Sequence, residues 1–217
     1  MRMLRGLPLL LLLASSSTVF AHRLDEYLQA EIVSIEPGDI RLQINLTPGV
    51  AIADQVLALI DRDHDGVISP GEAAAYADSL RRDLTVRLDQ RDVDLKLTAS
   101  NFPALEELRT GSGIIQIEFS LPAITLIPGP HKITIQNRHQ AGIGVYLMNA
   151  AKPSADSIQI TRQIRNLNQS TGEIEFAFHP RMNVWRKVGI GSLLSAVYVV
   201  VMAGLWRARK NSPSPKN

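Results

Sequence analysis

The chain has no cysteine among its 217 residues. That excludes a disulfide framework, a thiolate zinc cluster and a thiol nucleophile, so the fold must rest on an ordinary apolar core. Catalytic signatures are missing too. Gly111-Ser112-Gly113 lacks the outer glycine spacing of a nucleophile elbow, and no P-loop, dinucleotide fingerprint or HExxH run occurs. Glu106 and Glu107 are adjacent, so on a helix or a strand they point apart and do not converge on a substrate. No enzyme is expected.

Acidic residues stop at Glu175, while Arg181, Arg186, Lys187, Arg207, Arg209, Lys210 and Lys216 follow it. Setting aside those seven bases, with Arg2 and Arg5, leaves 14 Lys/Arg against all 21 Asp/Glu. The formal net charge of +2 therefore hides a body near −7. A body so acidic offers no footprint for nucleic acid. The basic end suits anionic lipid headgroups.

Both ends carry apolar runs. Residues 1–21 place Arg2 and Arg5 before Leu7–Leu13 and end in Val19-Phe20-Ala21, the layout of a cleaved secretory signal peptide. The mature chain would begin at His22. Val188 to Trp206 contains no charge, and as a helix it would reach roughly 28 Å, about one hydrocarbon core. Trp185 and Trp206 bracket it as interfacial aromatics, and Arg207, Arg209 and Lys210 follow as a stop-transfer cluster. The expected localisation is the inner membrane, single-pass, with the bulk in the periplasm and 207–217 as a cytoplasmic tail. Gly191 and Ser195 form a small-xxx-small pair, which points to a homodimer.

Between the ends, residues 22–182 read mostly as β-structure. Leu28, Ala30 and Ile32 alternate with polar residues, and so do Ile40, Leu42, Ile44 and Leu46. Alternation returns at Leu84–Leu88, with a hairpin through Gln90-Arg91-Asp92 to Val93, Leu95 and Leu97. Ile114–Leu121, His131–Gln136, Gly144–Leu147, Ser157–Gln163 and Glu173–Phe178 supply further candidates, separated by Pro/Gly signals. About nine short strands predict a mainly β fold, an antiparallel Ig-like β-sandwich. The period changes at about 50–83. Ile52, Val56, Leu59 and Ile60 recur at helical spacing, and an alanine-rich second helix runs from Pro70 to Arg82.

Between those two helices lies Asp61-Arg62-Asp63-His64-Asp65-Gly66-Val67-Ile68-Ser69-Pro70-Gly71-Glu72. A hard cation such as calcium takes six to eight oxygens at roughly 2.3–2.6 Å. Asp61, Asp63 and Asp65 supply carboxylates at positions 1, 3 and 5, and Gly66 permits the sharp turn at position 6. Val67 would offer its backbone carbonyl, Ser69 its hydroxyl or a bound water, and Glu72 both carboxylate oxygens. His64, at position 4, is not expected to be a ligand. The run resembles the calcium loop of the EF-hand superfamily, over about residues 50–85. That resemblance implies an inserted helix-loop-helix holding one calcium ion, with extracellular-type affinity.

A second such loop is lacking: Asp89, Asp92 and Asp94 have neither the spacing nor a glycine at the turn. The lone hand therefore either pairs with another copy or packs against the sheet. The reading is a non-catalytic binding or assembly module whose partner is another envelope protein. An alternative uses His22, because an N-terminal histidine can chelate copper or nickel through its amine and imidazole. It wants a second histidine, but no spacing links His131, His139 or His179, which are expected at solvent or strand-edge positions. Finally, Ala21-His22-Arg23-Leu24-Asp25-Glu26-Tyr27-Leu28, then strands and a DxDxDG loop, resembles the exported N-terminal region of the nickel-permease family of hydrogenase and urease accessory membrane proteins. That family has several spans where this chain has one, so the resemblance implies a metal-handling or accessory role and not transport.

Overall fold

The structure is a computed structural model that describes residues 24–121 and 125–180. The chain divides into two compact units, 1–178 and 179–217, and of the second only 179 and 180 are described. The expected signal peptide (1–21), His22, the apolar run 188–206 and the expected tail lie outside the described residues. Among those described, no helix is long and apolar enough to cross a membrane.

The first unit is mainly β, built from two five-stranded sheets. One sheet has the order β5 (Lys96–Asn101), β6 (Ile115–Ser120), β2 (Asp39–Pro48), β1 (Tyr27–Glu36) and β8 (Gly144–Ala150). The other runs β4 (Arg91–Asp92), β3 (Leu84–Leu88), β7 (Gly129–Asn137), β10 (Thr171–Phe178) and β9 (Ile158–Arg165). Alternation decides what is buried. Ile40, Leu42, Ile44 and Leu46 of β2 turn inward, as do Ile133 and Ile135 of β7, and Ile174 and Phe176 of β10. These side chains belong to one cluster shared by both sheets, which is why neither sheet needs a second covered face. Between β2 and β3 a 3₁₀ turn (Val50–Ile52) leads into α1 (Ala53–Ile60) and then α2 (Pro70–Asp83). A short α3 (Leu105–Arg109) sits between β5 and β6, with Glu106 and Glu107 exposed on it.

Three features differ from the sequence reading. First, the sandwich is not wholly antiparallel, because β1 pairs with β8 in parallel from Tyr27↔Gly144 to Val33↔Ala150. A parallel pair needs a long crossover, and here the connection is everything from β2 to β7. Second, the hairpin after β3 pairs Arg91–Asp92, adds one bond from Val93 N to Val86 O at 2.9 Å and goes no further. Leu97 instead pairs with Phe119 of β6 in the other sheet, so the chain changes sheets at buried Leu95.

Third, the inward face of β1 begins with Tyr27, Gln29 and Glu31 before Val33 and Ile35. Leu28, Ala30 and Ile32 take the half-buried face. Two polar side chains thus enter the core, which is tolerable only where partners meet them.

Candidate metal centre

The loop is held by the helices on either side of it. α1 buries Ala53, Val56, Leu57 and Ile60, and its ladder ends as the Asp61 amide donates to the Leu57 carbonyl at 2.9 Å. α2 starts with a full capping box: the Ser69 hydroxyl accepts from the Glu72 amide, and the Glu72 carboxylate accepts from the Ser69 amide. Pro70 at the first helical position costs no hydrogen bond. Ile68 packs against the core between them.

Within the loop the chain turns back on itself. Gly66 sits at φ +85° and His64 at φ +59°, the left-handed region that glycine enters without strain. The turn lets amides reach carboxylates. Gly66 N donates to Asp61 Oδ2 at 3.2 Å, Asp65 N to Asp63 Oδ1 at 3.2 Å, and Val67 N to Asp65 Oδ1 at 2.8 Å. Each aspartate is so anchored by one oxygen.

The result is that Asp61, Asp63 and Asp65 each bring a carboxylate oxygen within 4.8 Å of the others. Among the described residues, this is the one group of three or more His, Asp or Glu side chains so gathered. At that spacing each pair of charges repels by about 1 kcal/mol in water-like surroundings and by several at lower effective permittivity. Asp63 and Asp65 are exposed, but Asp61 is only 6% exposed and its Oδ1 has no hydrogen-bond partner. A buried carboxylate oxygen left unpaired is costly. A bound cation removes both penalties at once, so the residues present fit a hard cation with oxygen ligands.

Glu72 is arranged differently. Its Oε1 accepts from Arg62 N at 2.7 Å, and its Oε2 accepts from Ser69 N at 3.0 Å and the Ser69 hydroxyl at 2.8 Å. The Ser69 amide and hydroxyl, then the Arg62 amide, hold its carboxyl down at about 2. It is therefore an anion at any ordinary pH, tied to the loop from its first residues to its ninth. Val67 is exposed and Ser69 half-buried.

Two of the three histidines depart from expectation, while His179 is exposed. His131 is 6% exposed and His139 fully buried, so neither is a solvent or strand-edge residue. Each is buried because an aspartate meets its ring: His131 Nδ1 lies 2.7 Å from Asp89 Oδ2, and His139 Nδ1 lies 2.7 Å from Asp83 Oδ2. Their other ring nitrogens are engaged as well, at Ile127 O and at the Tyr76 hydroxyl. Neither imidazole has a nitrogen left over for copper or nickel.

His139 belongs to a buried polar cluster that the sequence reading did not find. Tyr76 Oη stands 3.0 Å from His139 Nε2 and 2.6 Å from Tyr27 Oη. Gln29 and the Tyr146 hydroxyl both donate to the His139 carbonyl, at 2.8 and 2.9 Å. Asn137 donates to Gln29 Oε1 at 2.9 Å and to Glu31 Oε1 at 2.7 Å, and accepts from the His139 amide. Glu31 Oε2 has no partner. The available signal was the polar pair Gln29 and Glu31 at alternate strand positions, in phase with Val33 and Ile35.

No protein-family model matches the chain, and no match to it is found among curated proteins.

Proposed function

We propose that this chain is a calcium-binding protein of the bacterial envelope, anchored in the inner membrane by residues 188–206 with its β-sandwich in the periplasm. On this reading it is a non-catalytic binding or assembly module for another envelope protein. Its sandwich is Ig-like, and the insertion between β2 and β3 is a single EF-hand. Asp61, Asp63, Asp65, the Val67 carbonyl, Ser69 and Glu72 hold the ion. The observation that carries this is Asp61: a buried carboxylate with an unpartnered oxygen, beside two more carboxylates within 4.8 Å. Calcium is favoured over magnesium because the ligand set includes a carbonyl and a long glutamate, which suit a large, flexible coordination sphere and not a strict octahedron.

The non-catalytic reading rests on the sequence, which carries no catalytic motif. In the Asp83–His139–Tyr76 arrangement His139 is fully buried and Tyr76 2% exposed, while the Asp83 side chain is partly exposed. The membrane anchor and the signal peptide rest on the uncharged run 188–206 and the layout of residues 1–21.

Calorimetry on the detergent-purified chain tests the site. Calcium is expected to bind with a dissociation constant on the order of 10⁻⁴–10⁻³ M, and Asp61→Asn and Glu72→Gln are each expected to abolish the heat. Binding that survives Asp61→Asn unchanged would place the ion elsewhere, and no heat at millimolar calcium would end the proposal.

A further inference from the structure

α2 has two ends with different tasks. Its first turn, Ser69 to Glu72, closes the loop. Seven residues apart further along, and thus on one face, Tyr76 and Asp83 grip His139 through its two ring nitrogens, at 3.0 and 2.7 Å. The Tyr76 ring also stands edge-on to His139, with centroids 5.4 Å apart, and to Phe102 at 6.0 Å. The helix that closes the loop is therefore the helix that closes the polar cluster.

The hydrogen bonds of that cluster run in one direction. The Asp83 carboxylate only accepts, so His139 Nδ1 carries the proton and donates to it. Nε2 then accepts from the Tyr76 hydroxyl, whose oxygen accepts from the Tyr27 hydroxyl. Every member is satisfied only while His139 is neutral. A proton on Nε2 would face the Tyr76 oxygen, turn the Tyr76 hydroxyl onto Tyr27, and leave the Tyr27 proton with no acceptor in a fully buried position.

We propose that α2 couples the calcium loop to His139. A cation in the loop and a neutral His139 select the same position of α2, and protonation of His139 weakens calcium binding. The inference rests on the calcium reading above. The groups facing His139 are Asp83 and Tyr76 from α2, Tyr27 from β1, Tyr146 from β8, and Glu31, reached through Asn137. Arg138 adjoins it in the chain, its amide donating to the Asp83 carbonyl. Binding couplings are reciprocal, so calcium must lower the titration midpoint of His139 by the factor by which acid weakens calcium binding.

The test uses the full chain in detergent with His64→Gln, which removes the loop's own imidazole. Calcium affinity is read by calorimetry at about pH 8 and about pH 5.5, either side of the histidine range. The His139 ring is followed by site-resolved NMR with and without calcium, which separates it from Glu31. The expected result is a several-fold weaker affinity in acid and a lower His139 midpoint with calcium bound. In Tyr76→Phe calcium still binds but the acid effect shrinks. An identical His139 midpoint with and without calcium, while the Gly66 amide shifts on calcium addition, overturns the coupling alone. No heat and no Gly66 shift at either pH overturns the calcium reading and the coupling with it. Should Tyr76→Phe fail to fold, the midpoint comparison in His64→Gln still decides.

Discussion

Asn137 donates its side-chain amide to Glu31 Oε1 at 2.7 Å, while Oε2 of the same carboxyl has no partner and the residue is 1% exposed. Burial pushes the Glu31 carboxyl up to about 7, opposed by the Asn137 hydrogen bond. A folded value above the unfolded one means that the folded state holds the extra proton between about pH 4.3 and 7. Stability from this group is thus highest in acid and falls as pH rises through that window. Glu31→Gln, which imitates the protonated form, is expected to match the parent near pH 5 and to exceed it near pH 8. The difference is on the order of 3 kcal/mol at most. Denaturant titrations at the two pH values check this, and a difference that does not change with pH would refute it.

Asp61 separates a stability effect from a binding effect. Without calcium its unpartnered buried oxygen and two carboxylate neighbours work against folding, so Asp61→Asn is expected to melt no lower than the parent. Calcium at ten times its dissociation constant should then stabilise the parent by about 1.4 kcal/mol and leave the variant unmoved. Thermal melts with calcium and with chelator distinguish the two effects. A variant that melts well below the parent in chelator would show that the loop is not under this strain.

At His131 both ring nitrogens face oxygen acceptors, Asp89 Oδ2 and Ile127 O. Burial alone would lower its pKa, but the Asp89 hydrogen bond and charge, with the Ile127 carbonyl, outweigh it and raise the value. A raised folded value gives stability that is fully present below the unfolded value of about 6.5 and lost as pH rises through the folded one. Asp89→Asn should therefore cost more near pH 6 than near pH 9. An equal cost at both would leave the imidazolium without a role.

Two glycines meet different neighbours. A Cβ on Gly49 would run into the Leu24 carbonyl, and Gly49 N itself donates to Glu26 O at 2.8 Å. A Cβ on Gly172 would meet the Met148 sulfur, the movable part of a flexible side chain. Gly49→Ala is expected to cost more than Gly172→Ala, which should lie near 1–3 kcal/mol. Paired chemical denaturation measures the ranking, and Gly172→Ala with Met148→Leu tests whether the sulfur is the obstacle.

Most strands could be read directly because side-chain burial on a sheet has period two, and β2, β7 and β10 alternate cleanly. The gathering of Asp61, Asp63 and Asp65 could be read because their alternate spacing leads into the turn at Gly66, which folds the three carboxylates together. β1 was harder. Leu28, Ala30 and Ile32 look like a core face, yet the two sheets bury Gln29 and Glu31 instead. They are held there by Asn137 and His139, more than a hundred residues away. The phase shared with Val33 and Ile35 is the one local sign of it, and the identity of the distant partners is not in the local pattern. His131 and His139 are buried against expectation for the same reason, since the partners that meet them, Asp89 and Asp83, are distant in sequence.

The parallel pairing of β1 with β8 also sets an order of events. β1 and β2 can close as a hairpin as soon as residue 48 exists, but the other edge of β1 must wait for residues 144–150. For most of the time during which the chain is being made, Tyr27, Gln29 and Glu31 therefore lack Asn137, His139 and Tyr146. Their strand keeps an open row of amides and carbonyls for any other strand to join. Pairing over such a separation is slow to form. The step that ends this exposure is the arrival of β8, which follows Asn137 and His139 closely in the chain and brings Tyr146 to the His139 carbonyl. The buried polar groups thus gain their partners at the stage at which β1 loses its open edge.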